Sequence, residues 1–190
     1  MRIRLGGLIA VGILLIWCQA LFATDEAPEW TVYKDGRFTL VYAPDTNLKK
    51  LEARIRSRYF SVSSAERDLY TNPAYDIEKR ITARLELIFL RAEQILAMYP
   101  AGPMSIKIKV FRNRRELNEE YFRIFNVDRQ YKSFYIHSFG TIYTSMQDIS
   151  DSKISHEMSH AIIDSYFAII PPSKVAELMA VYVDSHLEEE

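Results

Sequence analysis

Two histidines four residues apart restrict the folds open to this chain more than any other feature. They lie in the run Ile154-Ser155-His156-Glu157-Met158-Ser159-His160-Ala161-Ile162-Ile163. On an α-helix that spacing places both rings on one face, where they can grip a single ion. Glu157, next along the helix, can then reach a water bound to that ion. A fold that uses this motif as a metal site contains this helix and brings it a third ligand. Histidine is scarce, four in the whole chain, so an accidental His-Glu-x-x-His match is rare.

The rest of the chain can build such a fold. About half of its 190 residues are apolar, 48%, enough for one globular domain with a proper core. A formal net charge of −1, with lysine and arginine scattered, gives no electrostatic case for nucleic-acid binding. The local exception, Arg112-Asn113-Arg114-Arg115, reads as a solvated helix start rather than a phosphate site.

The N-terminus has a different character. Arg2 and Arg4 precede an apolar stretch from Leu5 to Trp17 and then Ala20-Leu21-Phe22-Ala23, the pattern of a secretory signal over residues 1–23. Cleavage after Ala23 would open the mature chain at Thr24, with Ala20 as the other site. The stretch is short for a membrane span, so an uncleaved anchor is the alternative reading and the mature chain is expected to have no span. The expected location is periplasmic or extracellular. Cys18, the only cysteine, lies inside this leader, and the bulky Trp17 before it argues against a lipid anchor. A mature domain over 24–190 then has no disulfide and no thiolate ligand, so a metal must be held by histidine and carboxylate.

Along the mature chain, Trp30-Thr31-Val32-Tyr33 and Arg37 to Tyr42 flank a Lys34-Asp35-Gly36 turn and read as a β-hairpin. Helical spacing of Leu48, Leu51, Ile55, Tyr59 and Val62 predicts one helix from Asp45 to about Arg67. A second is predicted from about Tyr75 to Met98, the two being separated by Asn72-Pro73. Ser105 to Phe111 alternates as a strand with one buried face, and a helix is expected from about Arg114 to Phe125. Ser133–Ile136 and Thr141–Ser145 are short strand candidates. Ser150-Asp151-Ser152 starts the motif helix, which runs to about Ala168; Pro171-Pro172 stops it, and Ser173 can cap a last helix to about Leu187.

That last helix offers the third ligand candidate, Glu177 in Lys174-Val175-Ala176-Glu177-Leu178-Met179-Ala180. The proline pair lets the chain reverse, so this helix can cross the first and aim Glu177 at the histidines. Water or substrate would take the fourth position. The plainer reading of Glu177 is an exposed helix glutamate.

His156-Glu157-Met158-Ser159-His160, Glu177-Leu178-Met179-Ala180 and the strand Thr141-Ile142-Tyr143-Thr144-Ser145 together resemble a known family. It is the gluzincin-like metallopeptidases of the peptidase MA superfamily, particularly small secreted bacterial members. There the second segment usually reads Glu-Gly-Leu-Ala, often with a tryptophan shortly before it; here Leu178 stands in the glycine's place and that tryptophan is missing. The resemblance implies an α+β, zincin-like fold: a small mixed sheet with an edge strand over the motif helix, and a following helix with the third ligand. It implies one zinc ion on His156, His160 and Glu177, with Glu157 as general base and a peptide or protein as substrate. It also implies that Ile142, Tyr143 and Thr144 form the edge strand that pairs with extended substrate, the alternative being a plain core-flanking strand.

A transition-state oxyanion needs a further donor. Larger relatives draw it from a domain after the third ligand; here the chain stops soon after Glu177, so the candidates are Tyr166, Tyr182 and His186. His186, near a terminus, also reads as a surface residue, as does His137 between the two short strands. Zinc-bound histidines normally donate their free N–H to a carboxylate, and Asp164 and Asp184 are the candidates for that support. The resulting expectation is a secreted zinc peptidase. The alternatives are a catalytically inactive zinc-binding or scaffold module of the same fold in the cell envelope, and a soluble domain with an accidental motif. Apolar helix faces are explained by one core, so oligomeric state stays open.

Overall fold

A computed structural model describes residues 29–57 and 64–188. The leader and its cleavage sites lie outside the described residues. Among the described residues the chain is α+β, with a mixed five-stranded sheet and six α-helices. β1 (Thr31–Asp35) and β2 (Phe38–Tyr42) form the expected hairpin, but the strand continues through Lys34 and Asp35. Asp35 pairs with Phe38, which leaves Gly36, in the left-handed region at φ 55°, to make the turn with Arg37.

The region from Asp45 to Arg67 is not one helix. α1 (Leu48–Arg54) starts at Asn47, whose side chain accepts from the Lys50 N–H, and stops at Ile55. The reason lies far along the chain. The Asp151 carboxylate accepts from the Arg56 N–H at 2.8 Å and the Ser57 N–H at 2.9 Å, donors that continued helix would have used. α2 (Ser64–Thr71) then ends before Asn72-Pro73. α3 (Ile77–Leu96) follows, and its buried Ile81, Leu85, Ile88, Phe89 and Ala92 form one helical stripe.

β3 (Ile106–Phe111) leads to α4 (Arg114–Phe125), capped by Asn113. β4 (Ser133–Ile136) turns through a short 3₁₀ segment into β5 (Thr141–Ser145). Gly140 makes that turn at φ 54°, and a Cβ there would stand 3.3 Å from the Ser105 carbonyl oxygen. α5 (Asp151–Tyr166) starts at Ser150, whose hydroxyl accepts from the Lys153 N–H. α6 (Ser173–His186) follows Pro171-Pro172; Pro172 holds the cap position and Ser173 is the first helical residue, so the expected Ser173 cap is replaced by a proline-preset turn.

The strand order is β1-β2-β3-β5-β4, with β2-β3 and β3-β5 parallel and both end pairs antiparallel. One sheet face, bearing Leu40, Ile106, Ile108, Val110 and Ile142, packs against α1, α3 and α5 with Val183 of α6. Each such large side chain contributes about 1.5–3 kcal/mol by burial. The other face packs Phe111, Phe134 and Tyr143 against Leu117 of α4.

This order corrects the expected edge. Ile142, Tyr143 and Thr144 lie in β5, which is paired on both sides and buried along its whole length. Among the described residues the free edge beside α5 belongs to β4. A parallel β3-β5 pair needs a crossover, and that crossover, α4 with β4, delivers β4 to the outside. Among the described residues no helix is long and apolar enough to cross a membrane.

Candidate metal centre

The metal-ligand geometry starts from α5. Its buried residues Ile154, Met158, Ala161 and Ile162 face the core and leave His156 and His160 on the shoulder toward α6. α6 buries Ala176, Ala180 and Val183, small side chains that let the two helices approach closely. Glu177 sits beside that seam and reaches back across it. His156 Nε2 lies 3.4 Å from Glu177 Oε1, and His160 Nε2 lies 3.5 Å from Glu177 Oε2. All three ligand atoms fall within 4.8 Å of one another.

The two histidine-to-carboxylate spacings, each to its own oxygen of Glu177, are close to those of ligands sharing one ion. Ligands about 2.0–2.1 Å from zinc at tetrahedral angles stand about 3.3 Å apart. Burial pulls the pKa of both histidines below the ordinary imidazole value, and in His160 the neighbouring His156 adds to it. Neutral imidazole is the ligating form. A two-histidine, one-carboxylate set without thiolate is one that zinc accepts with a fourth position left for water or substrate.

Glu157 points the other way around the helix, toward β4. Its residue is 6% exposed, and the Ser133 hydroxyl donates to Glu157 Oε1 at 2.6 Å. Burial pushes its pKa up to about 7; the Ser133 hydroxyl and the Tyr135 N–H oppose that rise, while Glu177 adds to it. The edge strand thus holds the carboxylate in place. A cleft of about 780 Å³ runs along this junction, lined among others by His156, Glu157, His160, Glu177, Tyr135 and His137.

Compared with protein-family models, curated proteins and solved structures, the chain matches none of them.

The three expected oxyanion donors lie elsewhere: Tyr166, Tyr182 and His186 are not among the residues lining the cleft. Helix geometry accounts for each. Tyr182 lies about 140° around α6 from Glu177, His186 about 180°, and Tyr166 about 120° around α5 from His160. Tyr182 and His186 stack on each other at 4.0 Å, and Tyr166 packs edge-on against Phe167.

The expected carboxylate supports also differ from expectation. Asp184 accepts from the Ser152 hydroxyl, because two turns of helix carry it past His156. Asp164 stands 3.1 Å, through Oδ2, from His137 Nδ1. Both carboxylates still favour the charged form of their neighbouring histidines, Asp184 at His156 and Asp164 at His160. His137 is the cleft residue that sequence reasoning set aside as surface. Its signals were its rarity and its place directly after a strand that turns out to be the edge.

Proposed function

We propose that this protein is a zinc-dependent peptidase of zincin-like fold that hydrolyses peptide bonds, with Glu157 as the general base. The observation that carries the reading is the convergence of His156, His160 and Glu177 within 4.8 Å of one another, beside a buried glutamate of α5 that Ser133 of the edge strand holds. His156, His160 and Glu177 would hold the ion. Zinc bound there supplies Lewis acidity, which lowers the pKa of water and polarises a carbonyl.

The remaining work falls to the chain. β4 offers an unpaired edge along which an extended peptide can lie, giving binding that tolerates many sequences. Glu157 takes a proton from the attacking water as its oxygen bonds the scissile carbonyl carbon. It returns that proton to the nitrogen as the carbon–nitrogen bond breaks. Ser133 keeps the carboxylate aimed at the cleft. His137, whose Nδ1 lies 3.1 Å from Asp164 Oδ2, can in its doubly protonated form donate from Nδ1 to that carboxylate and from Nε2 to a developing oxyanion. The N-terminal pattern, with the only cysteine inside it, supports work outside the cytoplasm, periplasmic or extracellular.

The test is Glu157→Gln in the purified full chain. Cleavage of a mixed peptide substrate is expected to fall about a thousandfold while bound zinc is unchanged. Zinc binding by the wild type without any cleavage would replace this reading with a zinc-binding or scaffold module.

A further inference from the structure

The cleft is not uniform along its length, and its asymmetry bears on substrate choice. β4 and α5 run in the same direction past each other. Ser133, at the start of β4, touches Glu157, while His137, just past its end, touches Asp164 one helical turn beyond His160. The end at the start of β4 is built from two kinds of group. On the α4 side stands an aromatic wall in which the Tyr121 ring lies 4.7 Å from Phe125, 4.5 Å from Tyr131 and 5.0 Å from Phe134. All four line the cleft, and Phe125 is 44% exposed. On the α5 side Lys153, one turn before His156 and Glu157, lines the same cleft, and Lys132 joins it from the chain entering β4. Among the described residues neither lysine has a carboxylate within ion-pair distance.

Strand geometry joins these two features. Adjacent side chains of an extended peptide point to opposite faces. A peptide laid on the β4 edge therefore turns one side chain toward α4 and the next toward α5. Ser133 and Phe134 illustrate the same alternation in β4 itself, Ser133 meeting Glu157 of α5 and Phe134 meeting Tyr121 of α4.

Resting on the peptidase reading, we infer that this end of the cleft selects substrates presenting a large aromatic or aliphatic side chain next to a carboxylate. The apolar group packs on the Tyr121–Phe125–Tyr131 wall and the carboxylate faces Lys153 on α5. That carboxylate has two sources, an aspartate or glutamate side chain within a peptide, or the peptide's own C-terminus. The first corresponds to cleavage inside chains and the second to cleavage at their ends.

The test is peptide binding to the zinc-loaded full-length Glu157→Gln protein, read by fluorescence anisotropy so that it does not depend on turnover. The probes are an amidated peptide with an internal Phe-Asp pair, its Phe→Ser and Asp→Asn forms, and a peptide ending in phenylalanine with a free carboxylate. Loss of the ring is expected to weaken binding about tenfold or more. Loss of the charge is expected to weaken it about two- to fivefold, an effect that fades with added salt. Phe125→Ala should erase the first preference and Lys153→Met the second, each leaving the other in place. Tighter binding of the internal pair or of the free terminus assigns the carboxylate's source. Equal binding of all four peptides overturns the inference. Zinc content of both proteins, and cleavage of an unrelated protein substrate by the wild type, are measured in parallel. Cleavage without peptide preference sinks this inference alone, and peptide preference without zinc sinks the peptidase reading alone.

Discussion

A histidine whose Nδ1 is engaged by a neighbouring carboxylate has its ring orientation restricted. His137 is in that position, and it is one of the residues lining the cleft with His156, Glu157 and His160. His137→Gln is therefore expected to lower kcat about a hundredfold with KM and bound zinc little changed, as kinetics and metal analysis on one preparation would check. A fall in zinc content instead would make His137 a support of the metal site. At this scale the sequence was informative where spacing within one helix decides the outcome. His156 and His160 share a face, and Asp164 shares it too. The same arithmetic sets Tyr182 and His186 off the Glu177 face. What spacing could not show is that the partner of Asp164 is His137, brought there by strand pairing.

Elements end where something elsewhere claims their backbone. The apolar repeat from Leu48 to Val62 suggests one helix, yet Asp151 takes the Arg56 and Ser57 N–H groups and α1 stops. No local pattern announces that. The shortened α1 is instead tied to α3 by Glu52, whose carboxylate meets Arg80 at 2.9 Å and Arg84 at 3.1 Å. Arg84 also donates to the Glu52, Ile55 and Tyr70 carbonyls. The Arg80 hydrogen bond holds the Glu52 carboxyl below its ordinary value, against the opposing effect of burial. Because the folded pKa is the lower one, the stabilisation is present above the unfolded value and is lost as pH falls through the folded one. Glu52→Gln should thus cost about 1–2 kcal/mol at pH 7, and the difference from wild type should shrink below about pH 4.5. Denaturant titrations at several pH values measure it, and a difference constant with pH would contradict the coupling.

At the scale of the whole molecule, most helices and strands were readable from the chain: Arg114–Phe125, Ser133–Ile136 and Thr141–Ser145 lie where periodicity and turn residues place them. The order of strands was not. The family resemblance gives Thr141-Ile142-Tyr143-Thr144-Ser145 the role of an edge strand, but its neighbours β3 and β4 cover both sides. The edge role passes to β4, and with it Ser133, Tyr135 and the aromatic wall enter the site. The packing of α5 on α6 through small residues brings candidate ligand atoms of His156, His160 and Glu177 within 4.8 Å of one another. An ion that joins them should stabilise the native state by linkage. Zinc stoichiometry and melting temperature, measured together for wild type and Glu177→Ala with and without a chelator, test this most directly. The account predicts one zinc per wild-type chain, a melting temperature that falls on chelation, and a variant that binds much less zinc and whose melting temperature the chelator leaves unchanged. A wild-type protein that binds no zinc and melts at the same temperature with or without chelator would contradict it.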